Sequence, residues 1–156
     1  MYKLSSEEQS ILDSANQILM RVMEATPLFL SKEVISSDDV AVQHFRYKIG
    51  HAEREHMMVL FLDNQHCLLA SEILFSGTTN QSAVYPREIV KRALTLNACA
   101  IIIGHNHPSG SLEVSQADRI ITEKIQSVCE LVGIKLVDHI IVSPLGYLSF
   151  SAEGYL

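Results

Sequence analysis

The sequence predicts an α/β protein with one mixed sheet flanked by helices. Short apolar runs of strand length recur through the second two-thirds of the chain. Stretches with apolar residues at helical spacing separate them. The resulting order is helix, helix, hairpin, helix, strand, helix, hairpin, which suits a sheet covered by helices. A length of 156 residues favours one domain, and 47% hydrophobic content supplies a core and argues against disorder.

Residues 5–24 carry Ile11, Leu12, Ala15, Ile18, Leu19, Val22 and Met23 at helical spacing, so one buried stripe is expected. Ser5 or Ser6 can cap this helix, Glu7 and Glu8 suit its positive end, and Thr26-Pro27 stops it. Residues 28–36 read as a connector. Ser37-Asp38-Asp39 opens a second helix, with Val40, Val42 and Phe45 inward, ending near Gly50. The expected organisation is an N-terminal helical extension over 1–50 and a domain over 51–156.

His56–Leu62 is an apolar run of strand length, Asp63-Asn64-Gln65 a turn, and Cys67–Phe75 the second arm of a hairpin. Pro86 suits the first turn of a helix through Asn97, with Ile89, Val90, Ala93 and Leu94 on one side. Cys99–Ile103 is the third strand. Ser115 opens a helix with Ile121, Ile125, Val128 and Val132 inward, stopped by Gly133. Ile134–Val142 is a fourth strand, and Tyr147–Phe150 a short fifth after a Ser143–Gly146 turn.

The chemistry concentrates between the third strand and the helix after it. The run Ile101-Ile102-Ile103 ends in Gly104-His105-Asn106-His107-Pro108-Ser109-Gly110. If the chain stays extended, His105 and His107 point to the same face. Asp118 is three residues after Ser115. With Ser115 as N-cap, the Asp118 carboxylate leans back to the helix start, where the loop brings the histidines. Two imidazoles and one carboxylate suit zinc, and three protein ligands leave a fourth position for water, as catalytic zinc sites do. Ser115-x-x-Asp118 is also an ordinary capping pair, and the two readings coexist. Ser109 reads mainly as a turn residue. Asp138-His139 in the fourth strand is a candidate for supporting contacts to the site. His44, His51, His56 and His66 have no ligand-like spacing.

These residues resemble the JAMM motif of the MPN/JAB-domain metalloproteases, and more closely the RadC-like branch. The resemblance is carried by His105-x-His107-Pro108-Ser109-Gly110 and Ser115-x-x-Asp118. It extends through Arg54-Glu55-His56, Leu62-Asp63, Gly77-Thr78, Pro86-Arg87-Glu88-Ile89, Lys91–Leu94, Asn97-Ala98 and Asp138–Val142. It implies a cytidine-deaminase-like three-layer α/β/α sandwich and one zinc ion held by His105, His107 and Asp118. It further implies that Ser115 helps stabilise an oxyanion and that Glu55 is the general acid/base. Taken alone, Glu55 is one of several glutamates, with Glu33, Glu53, Glu72 and Glu88 as competitors. Val114 stands where RadC-like relatives often have proline. Residues 1–50 lack the glycine-centred signature of a helix-hairpin-helix region, so a short form is expected.

The function implied is zinc-dependent hydrolysis of a peptide or isopeptide bond in an unidentified peptide or protein. Two alternatives stand beside it. A zinc deaminase would use His-x-Glu and Pro-Cys-x-x-Cys, whereas the motif here is His-Asn-His and the chain has no such cysteine pair. A non-enzymatic accessory protein of DNA repair or mobile elements would use the fold as a scaffold and would not need every ligand. The net charge of −6 argues against strong nucleic-acid binding. No apolar stretch is long enough to span a bilayer, and the N-terminus does not read as a signal peptide. Cys67, Cys99 and Cys129, without CxxC spacing, read as reduced core residues of a cytoplasmic protein. The oligomeric state is open, a homodimer included.

Overall fold

The computed structural model describes residues 5–25, 34–35, 37–77 and 84–156. Its elements are α1 (Ser6–Ala25), α2 (Asp38–Ile49), β1 (Glu55–Leu62), β2 (Leu68–Gly77), α3 (Pro86–Thr95), β3 (Ala100–Asn106), α4 (Gln116–Leu131), β4 (Lys135–Ser143) and β5 (Gly146–Ser149). Most of the expected connector at 28–36 and of the break after Gly77 lies outside the described residues.

The chain divides into two units, Met1–Glu33 and Val34–Leu156. In the first, α1 forms where its spacing predicted a helix, and Ser5 and Glu8 make the start-of-helix contacts expected there. Of the stripe expected to be buried, the side chains of Leu19, Val22 and Met23 lie outside the described ones, and Ile11, Leu12 and Ile18 are exposed. Among the described residues of its unit there is no second element to cover them.

The second unit holds a five-stranded sheet in the order β2-β1-β3-β4-β5. All neighbours are antiparallel except β3 and β4, which are parallel and joined through α4. Alternation along the central strands makes two apolar faces. Met58, Leu60, Leu62, Ala100 and Ile102 pack with Ala41, Val42, Phe45 and Ile49 of α2. Met57, Val59, Phe61, Ile101 and Ile103 pack with Ile89 and Ala93 of α3 and with Ile125 and Cys129 of α4. The architecture is a three-layer α/β/α arrangement. Burial of β1 and β3 on both faces explains their unbroken apolar sequences.

The second helix differs from the expectation of an appendage. It lies within the Val34–Leu156 unit and supplies one of its two cores. Its contact with the sheet depends on Gly104. A methyl group at Gly104 would sit 2.5 Å from Cδ1 of the fully buried Phe45, so the missing side chain is what admits the ring. Two smaller expectations also shift. The buried stripe of α4 is Thr122, Ile125 and Cys129, with Val132 exposed. Cys99 is exposed at the entry to β3, while Cys67 and Cys129 are buried; all three are free thiols. No helix among the described residues is long and apolar enough to cross a membrane.

Candidate metal centre

The third strand runs on past Ile103 to Asn106, so His105 still belongs to the sheet. It lies between Met57 of β1 and Ile141 of β4 and is buried. Alternation puts it on the face of Ile101 and Ile103, which α3 and α4 cover. The chain then turns: Gly110 N–H donates to the His107 carbonyl at 3.0 Å, and Gly110 has φ +85°, a conformation glycine adopts without strain. Ser109 accepts from Ser111 N–H at 3.4 Å, the turn role expected of it.

Helix α4 begins with the reciprocal capping box that Ser115-x-x-Asp118 predicts. Ser115 Oγ accepts from Asp118 N–H at 3.1 Å. Asp118 Oδ2 accepts from Ser115 N–H at 2.9 Å and from the Ser115 hydroxyl at 2.7 Å. The cap thus uses one carboxylate oxygen. The other, Oδ1, faces His105 Nε2 at 3.3 Å.

His105, His107 and Asp118 offer ligand atoms that all lie within 4.8 Å of one another, a group that could hold a metal ion. The two Nε2 atoms are 2.8 Å apart. His107 Nδ1 is 2.9 Å from the Ser111 carbonyl, which only accepts, so Nδ1 carries the proton. In neutral His107, Nε2 therefore presents a bare lone pair to His105 and Asp118. Burial holds the His105 pKa down at about 4, with His107 acting in the same direction and the Asp118 charge opposing them. A neutral imidazole beside a carboxylate is the form in which these residues bind a cation.

His139 lies directly behind His105, its Nε2 2.7 Å from His105 Nδ1. Its ring is fully buried and stacks on Phe150 at 4.5 Å, and burial drives its pKa well below the ordinary range. Its Nδ1 is 2.6 Å from Thr122 Oγ1, and the Thr122 hydroxyl donates to the Asp118 carbonyl at 2.6 Å. Asp138 has contacts within its own part of the sheet. It accepts from His139 N–H, from the Ser149 hydroxyl and from Ser151 N–H, tying β4 to the end of β5.

Glu55 is the first residue of β1 and is exposed. Met57 pairs with His105, so Glu55, two residues earlier, is at the same end of the sheet and on the same face as the histidines. Asn106 faces the other way. Its Nδ2 donates to the carbonyls of Arg54 at 2.8 Å and Ala52 at 3.2 Å, and its Oδ1 accepts from His56 N–H at 2.7 Å. The backbone on both sides of Glu55 is therefore held by the residue between the two histidines. Of the competing glutamates, Glu72 is paired with Arg92. His44 and His56 hydrogen-bond with Ser71 and Ser76, away from the cluster.

Two residues of this centre had no motif to announce them. Thr122 hides in an apolar stripe, because a threonine there reads as an interruption. Asn106 carried a signal: if His105 and His107 share a face, the residue between them is on the other, and a buried asparagine needs partners.

A family model described as the RadC-like JAB domain matches residues 35–155. The match begins before α2, upstream of the domain start expected at residue 51. A UPF0758 protein of Haemophilus ducreyi is 50% identical over 123 residues, 79% of this chain and 55% of that protein. One from Haemophilus influenzae is 49% identical over 143 residues, 88% of this chain and 65% of the relative. One from Leptothrix cholodnii is 39% identical over 151 residues, 97% of this chain and 65% of the relative. The chain thus spans between about half and two-thirds of the length of these relatives. With a family model covering α2, the whole sheet and the His-His-Asp cluster, the chain belongs to the RadC-like JAB domain family.

Proposed function

We propose that the protein is a zinc-dependent hydrolase of amide bonds, acting on a peptide or isopeptide. The observation that carries this reading is the clustering of His105, His107 and Asp118, whose ligand atoms lie within 4.8 Å of one another, with Asp118 Oδ1 facing His105 Nε2 while Oδ2 serves the helix cap. Two imidazole nitrogens and one carboxylate oxygen are a zinc donor set with one position left over. Zinc held there would supply Lewis acidity and bring the pKa of water from ~16 towards ~7.

The chain's own residues complete the reaction. Glu55, at the head of β1 on the ligand face, takes a proton from the attacking water. The water oxygen bonds to the carbonyl carbon, the carbon–nitrogen bond breaks, and Glu55 returns the proton to the departing amine. Ser115 donates its hydroxyl to the developing oxyanion. That hydroxyl is directed at Asp118 Oδ2, so this role requires it to rotate about its own side chain.

Metal analysis tests the first half: about one zinc per chain is expected, lost in Asp118→Ala. Profiling on peptide and isopeptide libraries tests the second, with Glu55→Gln keeping zinc and losing turnover. A protein without bound metal that gains no activity on adding zinc overturns the proposal.

A further inference from the structure

We infer that His139 is a positioning residue that sets the tautomer of the ligand His105, in a hydrogen-bond chain that starts at the backbone carbonyl of Asp118. The inference rests on the metal-site reading above and adds the part that decides whether His105 can bind.

The chain has one consistent direction of donation. The Asp118 carbonyl can only accept, so the Thr122 hydroxyl spends its single proton there. Thr122 Oγ1 must then accept from His139, which places the His139 proton on Nδ1. His139 is fully buried with Phe150 stacked on its ring, a place that disfavours an imidazolium. Neutral His139 therefore has a bare Nε2, which accepts from His105 Nδ1–H. The remaining nitrogen of His105, Nε2, is left bare beside the bare His107 Nε2 and Asp118 Oδ1, three acceptors that a cation between them would satisfy.

Reversing the chain shows what is at stake. With the Thr122 proton turned to His139, that ring would carry its proton on Nε2 and donate to His105 Nδ1. His105 would then hold its proton on Nε2, where the metal must bind. Asp118 thus acts at both ends: its carboxylate is a ligand, and its carbonyl orients the second ligand through Thr122 and His139. A hydrogen-bonded partner behind a ligand histidine raises metal affinity by about 10–100-fold.

Zinc affinity measured by competition with a chromophoric chelator tests this in the full chain. Thr122→Val and His139→Leu are expected to bind zinc about 10–100-fold more weakly than wild type. Thr122→Ser, which keeps the hydroxyl, is expected to stay within about threefold. If His139→Leu does not fold, the Thr122 pair decides. Zinc binding by Thr122→Val within about threefold of wild type overturns the inference. The 15N spectrum of the zinc-loaded protein reads the chain directly: His139 protonated on Nδ1 in wild type supports it, and His139 protonated on Nε2 overturns it. A wild-type protein that takes up no zinc defeats the metal-site reading itself, whereas normal zinc uptake with His139 protonated on Nε2 defeats only the hydrogen-bond chain.

Discussion

The Asn106 side chain brackets Glu55: its Nδ2 donates to the carbonyl just before that residue, at 2.8 Å, and its Oδ1 accepts the N–H just after it, at 2.7 Å. The residue between the two candidate histidine ligands therefore fixes where the backbone of the proposed general base runs. Asn106→Ala should leave the ligand face intact and release the Ala52–His56 segment. Zinc uptake is expected to stay near wild type while turnover falls towards that of Glu55→Gln. The buried polar groups left unpaired should cost about 1–3 kcal/mol each, read in denaturant melts. Wild-type turnover in a destabilised Asn106→Ala protein would sever Asn106 from Glu55.

In the proposed site the carboxylate of Asp118 has two tasks, capping and metal binding, and substitutions can part them. Asp118→Asn keeps an oxygen for the Ser115 N–H but loses the charge that attracts a cation. Zinc binding should fail while most of the cap survives. Asp118→Ala should lose both, with a further loss of about 1 kcal/mol in stability. Paired metal analysis and thermal melts distinguish the two variants.

His44 ties α2 to β2 through Ser71 Oγ at 2.6 Å, and burial, helped by the Lys48 charge, lowers its pKa to about 4. The unfolded chain binds this proton near 6.5, so between those values the folded state binds fewer protons. The sign follows: stability is full above pH 6.5 and declines as pH falls towards 4, by up to about 1.4 kcal/mol per pH unit from this one group. Urea melts of wild type and His44→Gln across pH 7 to 4.5 should converge as pH falls. Parallel profiles would show that His44 is not responsible.

Gly104 and Phe45 form the contact that seats α2 on the sheet. Gly104→Ala should cost about 1–3 kcal/mol or more, because the added methyl meets a ring with nowhere to move. Phe45→Leu should cost stability alone yet recover part of the loss when combined with Gly104→Ala. A double-mutant cycle measures that coupling, and strict additivity would contradict it.

The sequence by itself located the elements and the group of residues that could hold a metal ion. Apolar spacing located the helices, because burial repeats every third or fourth residue there, and unbroken apolar runs located the central strands, which are buried on both faces. His105, His107, Ser115 and Asp118 were legible because strand alternation and the capping box are local rules that hold within a few residues. What lies behind those ligands was decided only by the tertiary structure. An amphipathic stripe shows that α2 buries a face but not what it buries it against, and the answer, Phe45 over Gly104, joins residues far apart in the chain. His139 could be noted beside the site, but its proton is placed by Thr122, and Thr122 has a meaning only once α4 lies across β4. Spacing along the chain names the atoms that can bind a metal. The hydrogen bonds that make them ready to bind run between elements, and only the packing of β3, β4 and α4 brings those partners together.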